Sequence, residues 1–213
     1  MKKFLTYLMV LVAILLIAFL CFYQFWFLRL PDRNIVKDDS LYLSPANGLV
    51  VSINHFNSDS FLVLKKKFGV VHLWTKDVDS AGYIISIQMD PTNVHYQRMP
   101  KDAKVISKNF VKGGFNNALQ SNNDFGIRFE NENNQILFES KNGKKFKLVQ
   151  ISGFVARRIE DYVEQYQELK QGDVYGLIKL GSQVTVILPD DITIATKVGE
   201  TVIDGESILA KDK

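Results

Sequence analysis

The stretch that decides the fold lies near the C-terminus, where residues 172–182 read GDVYGLIKLGS and residues 184–188 read VTVIL. Both parts have strand composition, and the second alternates apolar and polar residues before it becomes wholly apolar. A Gly-Ser pair between such runs usually marks a turn. It also permits another chemistry, because Gly181 has no side chain to block attack on its own carbonyl and Ser182 carries a hydroxyl that can make that attack.

Strand patterns also recur upstream of this stretch. They cover residues 49–53, 61–64, 69–74, 83–87 and 146–151, and turn signals at Ser80–Gly82 and Lys141–Gly143 separate some of them. One soluble helix is predicted from Ala156 to about Leu169. The segment Thr196–Ala210 repeats Val-Gly-Glu as Asp-Gly-Glu, which resembles the hairpins of lipoyl- and biotin-carrier barrels.

The N-terminus carries a run from Phe4 to Leu28 that contains no charged residue and has aromatic residues toward its ends. About 20 such residues cross a bilayer as a helix, and the run is longer than the apolar core of a secretory signal peptide. We therefore predict a retained anchor over residues 1–30 and one domain over residues 31–213. Lysine and arginine nearly balance at the two ends of the run, so the positive-inside rule leaves its orientation open.

Composition bounds the remaining choices. A formal net charge of +3 without a dense Lys/Arg block gives no electrostatic footprint for nucleic acid. The single cysteine, Cys21, excludes a disulfide within the chain and a cysteine-based metal site. The predicted fold class is mainly β (α+β): a compact β domain with lipoyl-carrier-like hairpins and one short helix, preceded by an N-terminal membrane helix.

Four motifs stand in order along the chain: LSPANG at residues 43–48, NVHYQRMP at 93–100, GFVARRI at 153–159 and LGS at 180–182. Together they resemble the short, membrane-anchored branch of the phosphatidylserine decarboxylases, and a similar Pro-x-Arg segment is found at Pro31–Arg33. The likeness runs from about Leu28 to near the C-terminus.

The resemblance implies self-cleavage of the Gly181–Ser182 bond into a large chain, residues 1–181, and a small chain, residues 182–213. Ser182 would become a pyruvoyl group, which is a covalent cofactor made from the protein itself, and no metal would be required. Its ketone would condense with the substrate amine as a Schiff base and accept the electrons released with carbon dioxide. The product of phosphatidylserine would be phosphatidylethanolamine.

The resemblance also assigns site residues. His95 would donate a proton during turnover, because an imidazole titrates near neutrality, and Arg98 would hold a substrate carboxylate or phosphate. The adjacent Arg157 and Arg158 would meet lipid phosphate. The alternatives without a functional role are that His95 is a packed strand histidine, that Arg98 is a surface charge, and that Arg157 and Arg158 lie at a solvated helix start. His55 and His72 match no motif and are interpreted as structural.

Asn47 departs from the family pattern, which is Ser-Pro-Ala-Asp-Gly. The family's aspartate helps to activate the serine, and an amide is a weaker proton acceptor than a carboxylate. Self-processing is therefore expected to be slow, to use another base or to be absent. Two rivals remain: an uncleaved, noncatalytic family member, and a membrane-anchored adaptor with a lipoyl-like barrel.

The expected partners are a phospholipid substrate, the membrane and the two chains of one precursor. The resemblance favours the cell membrane, with the catalytic domain at its cytoplasmic face. A related archaeal serine lipid would suit the same chemistry, and a homo-oligomer is left open.

Overall fold

The computed structural model describes residues 2–57, 63–66, 69–72, 75, 77–114, 131–153, 158–179 and 182–213; for residues 2, 63–66, 69–72 and 182 it describes the backbone alone. The chain begins with helix α1, Lys2–Cys21, which continues as a π-helix over Phe22–Phe27. The stretch Lys3–Phe27 is long and apolar enough to cross a membrane. Within the described residues, every later element is a strand or a turn.

The strands follow one another in this order: β1 Leu41–Leu43, β2 Gly48–Phe56, β3 Val63–Lys66, β4 Gly69–His72, β5 Gly82–Met89, β6 Tyr96–Arg98, β7 Ala103–Val111, β8 Asn133–Ser140, β9 Lys145–Ile151, β10 Arg158–Asp161, β11 Glu168–Leu169, β12 Val174–Lys179, β13 Ser182–Pro189, β14 Ile192–Ile194, β15 Thr201–Val202 and β16 Ile208–Asp212. The mainly β fold class is confirmed.

The largest sheet has eight strands in the order β11-β7-β8-β9-β13-β5-β2-β15. Its centre is β13, which pairs antiparallel with β5 along its whole length and with β9 on its other side. Two three-stranded sheets, β1-β16-β14 and β10-β12-β6, and the hairpin β3-β4 complete the described strands.

The core explains why β13 reads as a wholly apolar run after its first residues. Val184, Val186 and Leu188 pack into the main apolar cluster, whereas Ile187 packs into a second cluster. The same division holds on β5, where Ile85 belongs to the first cluster and Ile84 to the second. A strand that is buried on both faces loses the alternation of a half-exposed strand.

The strands predicted at 49–53, 83–87, 146–151 and 184–188 are confirmed within β2, β5, β9 and β13. Of the two remaining predictions, residues 63–64 and 69–72 lie in β3 and β4, and residues 61–62 and 73–74 lie outside the described part of the chain.

The helix predicted from Ala156 to about Leu169 is wrong over the described residues 158–169. Residues 158–161 instead form β10, which pairs with β12 from Arg158 opposite Lys179 to Asp161 opposite Gly176. Val163 and Leu169 are buried in the core, and they reach it without a helix. Strand pairing between distant segments has overridden the local pattern.

Candidate active site

The site is built where neighbouring strands of the large sheet end. Ser182, the first residue of β13, pairs with Met89, the last residue of β5. On the other side of β5, Leu49 near the start of β2 pairs with Gln88. Asn47 directly precedes β2. The fold thus brings the backbone of Ser182 and the Asn47 turn to the two sides of one strand end.

Gly48 makes this approach possible. A Cβ atom on residue 48 would lie 2.1 Å from the carbonyl oxygen of Gln88, which is far closer than any real contact of that kind. The family-like glycine after Asn47 is therefore required by close packing of β2 on β5.

His95 lies in the connection between β5 and β6, and its backbone is tied to the strand that leads to Ser182. The N–H of Ile178 in β12 donates to the carbonyl oxygen of His95 at 3.2 Å. Strand β12 also pairs with β6, with Leu177 opposite Tyr96. His95 is therefore held beside the chain on the upstream side of the Gly181–Ser182 bond.

The imidazole of His95 is fully buried. Its ring packs on the ring of Phe27, with 4.2 Å between centroids and 35° between planes. Its Nδ1 lies 2.9 Å from the carbonyl oxygen of Asn93. Since a carbonyl only accepts, Nδ1 carries the proton, and Nε2 holds the lone pair of the neutral ring.

Burial lowers the pKa of His95 from 6.5 to about 4; the positive charge of Arg29 acts in the same direction, and the hydrogen bond to Asn93 opposes it. A histidine with such a pKa is neutral at pH 7. The neutral ring therefore presents Nε2 as a proton acceptor, while its burial disfavours the protonated state that would result.

Asn47 belongs to a charged cluster. Its Oδ1 accepts a hydrogen bond from the backbone N–H of Asp204 at 2.7 Å and a longer one from Nη2 of Arg33 at 3.4 Å. The Asp204 carboxylate is fully buried and pairs with Nη2 of Arg33 at 2.6 Å and with Nε of Arg98 at 3.0 Å. Two arginines thus share one carboxylate beside Asn47.

The other nitrogen atoms of the Arg98 guanidinium donate hydrogen bonds to backbone carbonyl oxygens. Its Nη1 donates to the carbonyl oxygen of Gly172 at 3.0 Å, and its Nη2 donates to that of Pro31 at 2.9 Å. In this arrangement Arg98 fastens the linker after the helix to the domain. Its role in substrate binding stays a prediction.

Comparison with known proteins identifies the family of this chain. The family model of phosphatidylserine decarboxylase matches residues 21–210. The chain belongs to the phosphatidylserine decarboxylase family. A relative in Methanocaldococcus jannaschii, named "Putative archaetidylserine decarboxylase proenzyme", is 34% identical over 90% of both chains. The phosphatidylserine decarboxylase proenzyme of Rickettsia akari is 34% identical over 87% of this chain and 73% of its own, and that of Rickettsia bellii is 33% identical over the same shares.

The structure describes one of the two adjacent arginines, Arg157 and Arg158, that were predicted to bind lipid phosphate in this member of the phosphatidylserine decarboxylase family. Arg157 lies outside the described residues. Arg158 is exposed, and its Nε pairs with Glu160 at 2.9 Å, a carboxylate that Lys179 also contacts at 2.9 Å. The role of both arginines in phosphate binding stays a prediction.

The sequence analysis did not predict three residues of the site: Phe27, Arg33 and Asp204. Only Arg33 carried a signal, as part of the family-like Pro31–Arg33 segment. Phe27 resembled any other aromatic residue of the apolar run, and Asp204 resembled a turn residue before Gly205. Nothing in the local sequence connects Arg33 with Asp204, which stands 171 positions away.

Proposed function

We propose that this chain is the membrane-anchored proenzyme of a phosphatidylserine decarboxylase, which cuts its own Gly181–Ser182 bond and then removes the carboxyl group of the lipid headgroup to give phosphatidylethanolamine. The observation that carries the proposal is the pairing of Ser182 with the last residue of β5, whose other side pairs with the start of β2 just after Asn47. The backbone of His95 is bound by Ile178, four residues before Ser182. The three residues come from three family-like motifs. Family membership also favours this function over an adaptor with a lipoyl-like barrel.

A pyruvoyl group at position 182 fits the architecture. Residue 182 opens β13, and this strand is held by β5 over residues 182–189 and by β9 over residues 183–187. Upstream of the bond, β12 is held by β6 and β10. Both new chain ends would therefore stay in register after cleavage. The group would supply an electron sink for loss of the carboxylate.

The chain's own proton chemistry centres on His95. Because its ring is neutral at pH 7 and Nδ1 is tied to Asn93, Nε2 can take the proton of the Ser182 hydroxyl during self-cleavage. As a glycine, residue 181 has no side chain to block attack by that hydroxyl on its carbonyl. Donation of a proton to the decarboxylated substrate requires the protonated ring, so this second role of His95 depends on a higher pKa after maturation.

Asn47 is the observation that favours the rival, an uncleaved and noncatalytic family member. Its amide oxygen accepts from the N–H of Asp204 and from Arg33, and a carboxylate oxygen would accept from both equally well. The amide therefore keeps the hydrogen bonds and loses the negative charge. We propose that this slows self-cleavage without preventing it.

The apolar helix supports a lipid substrate and a location at the cell membrane. The cytoplasmic face for the domain is proposed from the family resemblance alone, because the charges at the two ends of the helix leave its orientation open. The candidate span ends at Phe27, whose ring touches His95. Next to it, the guanidinium of Arg29 lies 4.6 Å from the ring centroid of Trp26, a pair typical of a membrane-water interface. The site would then lie at headgroup level.

The test is a decarboxylation assay with the full chain in vesicles that contain phosphatidylserine, with phosphatidylethanolamine measured by mass spectrometry. We expect product with the native chain and none with Ser182→Ala, because the substituted residue has no hydroxyl. A parallel arm with archaetidylserine decides the lipid backbone: higher turnover there would move the substrate class to archaeal lipids. No product from either lipid, with the native chain intact, would support the noncatalytic rival.

A further inference from the structure

Phe27 differs from its neighbours on the apolar helix. The large apolar side chains along the helix, from Phe4 to Trp26, are mostly exposed, whereas Phe27 is fully buried. Its ring lies between two others: that of Tyr23, with 5.4 Å between centroids and 7° between planes, and that of His95. Phe27 ends the π-helical turn, a conformation that often occurs at functional sites.

The end of the helix is fixed to the loop that carries His95. Nη2 of Arg29 donates to the carbonyl oxygen of Thr92 at 2.7 Å, and its Nη1 donates to that of Trp26 at the same distance. This guanidinium thus bridges the π-helical turn and the chain three residues before His95. The stacking of Phe27 on His95 is therefore braced on both sides.

We propose that Phe27 is a positioning residue for His95, so that the end of the apolar helix contributes the ring that orients the imidazole and keeps water away from it. The inference rests on the proposed function, since it gives Phe27 a task in the proton transfer assigned to His95. The Phe27 ring on its face and the Asn93 carbonyl at Nδ1 then both hold the imidazole.

Loss of the Phe27 ring is expected to change the pKa of His95 in one direction. Burial is the largest cause of the lowered pKa of His95, and Phe27 covers its ring. Around the imidazole, on the helix end, the Asn93 loop and the described parts of β6 and β12, Arg29 is the charged group that acts on it. Removal of the Phe27 ring should admit water and raise the pKa toward 6.5, and the Arg29 charge opposes the rise.

The experiment measures the protonation of His95 by NMR in the full chain, with Ser182→Ala as the parent so that the precursor stays whole. The chain has three histidines, so ¹³C-labelled imidazoles give few signals, and His95→Gln assigns one of them. At about pH 5.5 we expect the His95 ring to be roughly a tenth protonated or less in the parent and more than half protonated in Phe27→Ala.

Two matched variants separate this role from mere packing. Phe25→Ala removes the exposed aromatic ring of the same turn and should leave His95 neutral. Phe27→Leu restores an apolar cover and should return most of the parent's behaviour. His55, which contacts Asp190 at 2.8 Å, reports whether each variant is folded. Protonation unchanged in a folded Phe27→Ala, or raised equally by Phe25→Ala, would overturn the proposal.

A direct contact measurement keeps the test decisive even if Phe27→Ala unfolds. Ring protons of Phe27 and His95 should show a nuclear Overhauser effect in the parent, and its absence would overturn the proposal.

In chains that retain Ser182, the splitting rate of Phe27→Ala should fall about tenfold between about pH 7.5 and 5.5, while that of the native chain stays nearly level. Failure of the native chain to split would count against the proposed function and leave the NMR result as the test of Phe27.

Discussion

The two regions that hold the candidate site are fastened in different ways. Strand β13 is held by backbone pairing on both sides and by buried apolar side chains along its length. The linker after the helix is held by the ion pair between Arg33 and Asp204, the hydrogen bond from Arg98 to Pro31, and one from the N–H of Asn34 to Glu206 at 3.1 Å. Strand pairing spreads its contribution over many residues, whereas the linker depends on a few charges.

This difference indicates which part of the site is most sensitive to single substitutions. Loss of one apolar contact in β13 leaves the remaining pairs in place, but loss of Asp204 leaves two arginines without their shared partner. We therefore expect the linker to be the region in which single substitutions disconnect the anchor from the site.

The largest effect should come from Asp204→Asn. This change leaves Arg33 and Arg98 buried with too little negative charge, and the free energy of unfolding should drop by roughly 3–5 kcal/mol. The measurement is denaturant unfolding of the full chain in detergent. Asp190→Asn is the matched control: its pair with His55 is half exposed on both sides, so the loss should be about 1 kcal/mol or less. Equal losses of unfolding free energy in Asp204→Asn and Asp190→Asn would contradict the view that the linker depends on the buried Asp204 charge.

His95 lies next to both regions: Ile178 of β12, the strand before β13, binds its backbone, and Phe27, at the helix end before the linker, packs on its ring. His95→Ala therefore tests what these contacts jointly position. Decarboxylation of phosphatidylserine should fall about 10²-fold or more, in line with usual general acid–base contributions. A time course of chain splitting then separates the roles. Splitting near the native rate would assign His95 to turnover alone, and blocked splitting would assign it to maturation, as its neutral state favours. Normal turnover and splitting would make it a structural residue.

The smallest effect is expected at Asn47, where the Asp204 turn and the linker's Arg33 meet. Asn47→Asp restores a charged acceptor between the same donors and should speed chain splitting by a few-fold, measured on freshly translated protein. Asn47→Ala, which removes the acceptor, is the matched control and should slow it. An aspartate variant that is no faster would mean that the local network has adapted to the amide.

The sequence predicted the parts of this arrangement that depend on local pattern. Strands β2, β5, β9 and β13 follow from runs of Val, Ile and Leu. The motifs pointed to Asn47, His95 and Ser182, and the roles of these residues stay predictions. The helix expected from Ala156 to about Leu169 failed over the described residues because pairing of residues 158–161 with β12 determined their conformation. Local patterns carry no information on such pairing, nor on the joining of Arg33 and Asp204.

The most direct test of the central claim is the intact mass of the purified full-length protein after prolonged incubation. The account predicts two chains, residues 1–181 and a fragment from 182 to 213 that has lost the serine amine and carries a ketone. Ser182→Ala should remain a single chain of close to the full 24.3 kDa. A native sample that contains only the unsplit 213-residue chain would contradict self-cleavage at Gly181–Ser182 and leave the noncatalytic family member as the better description.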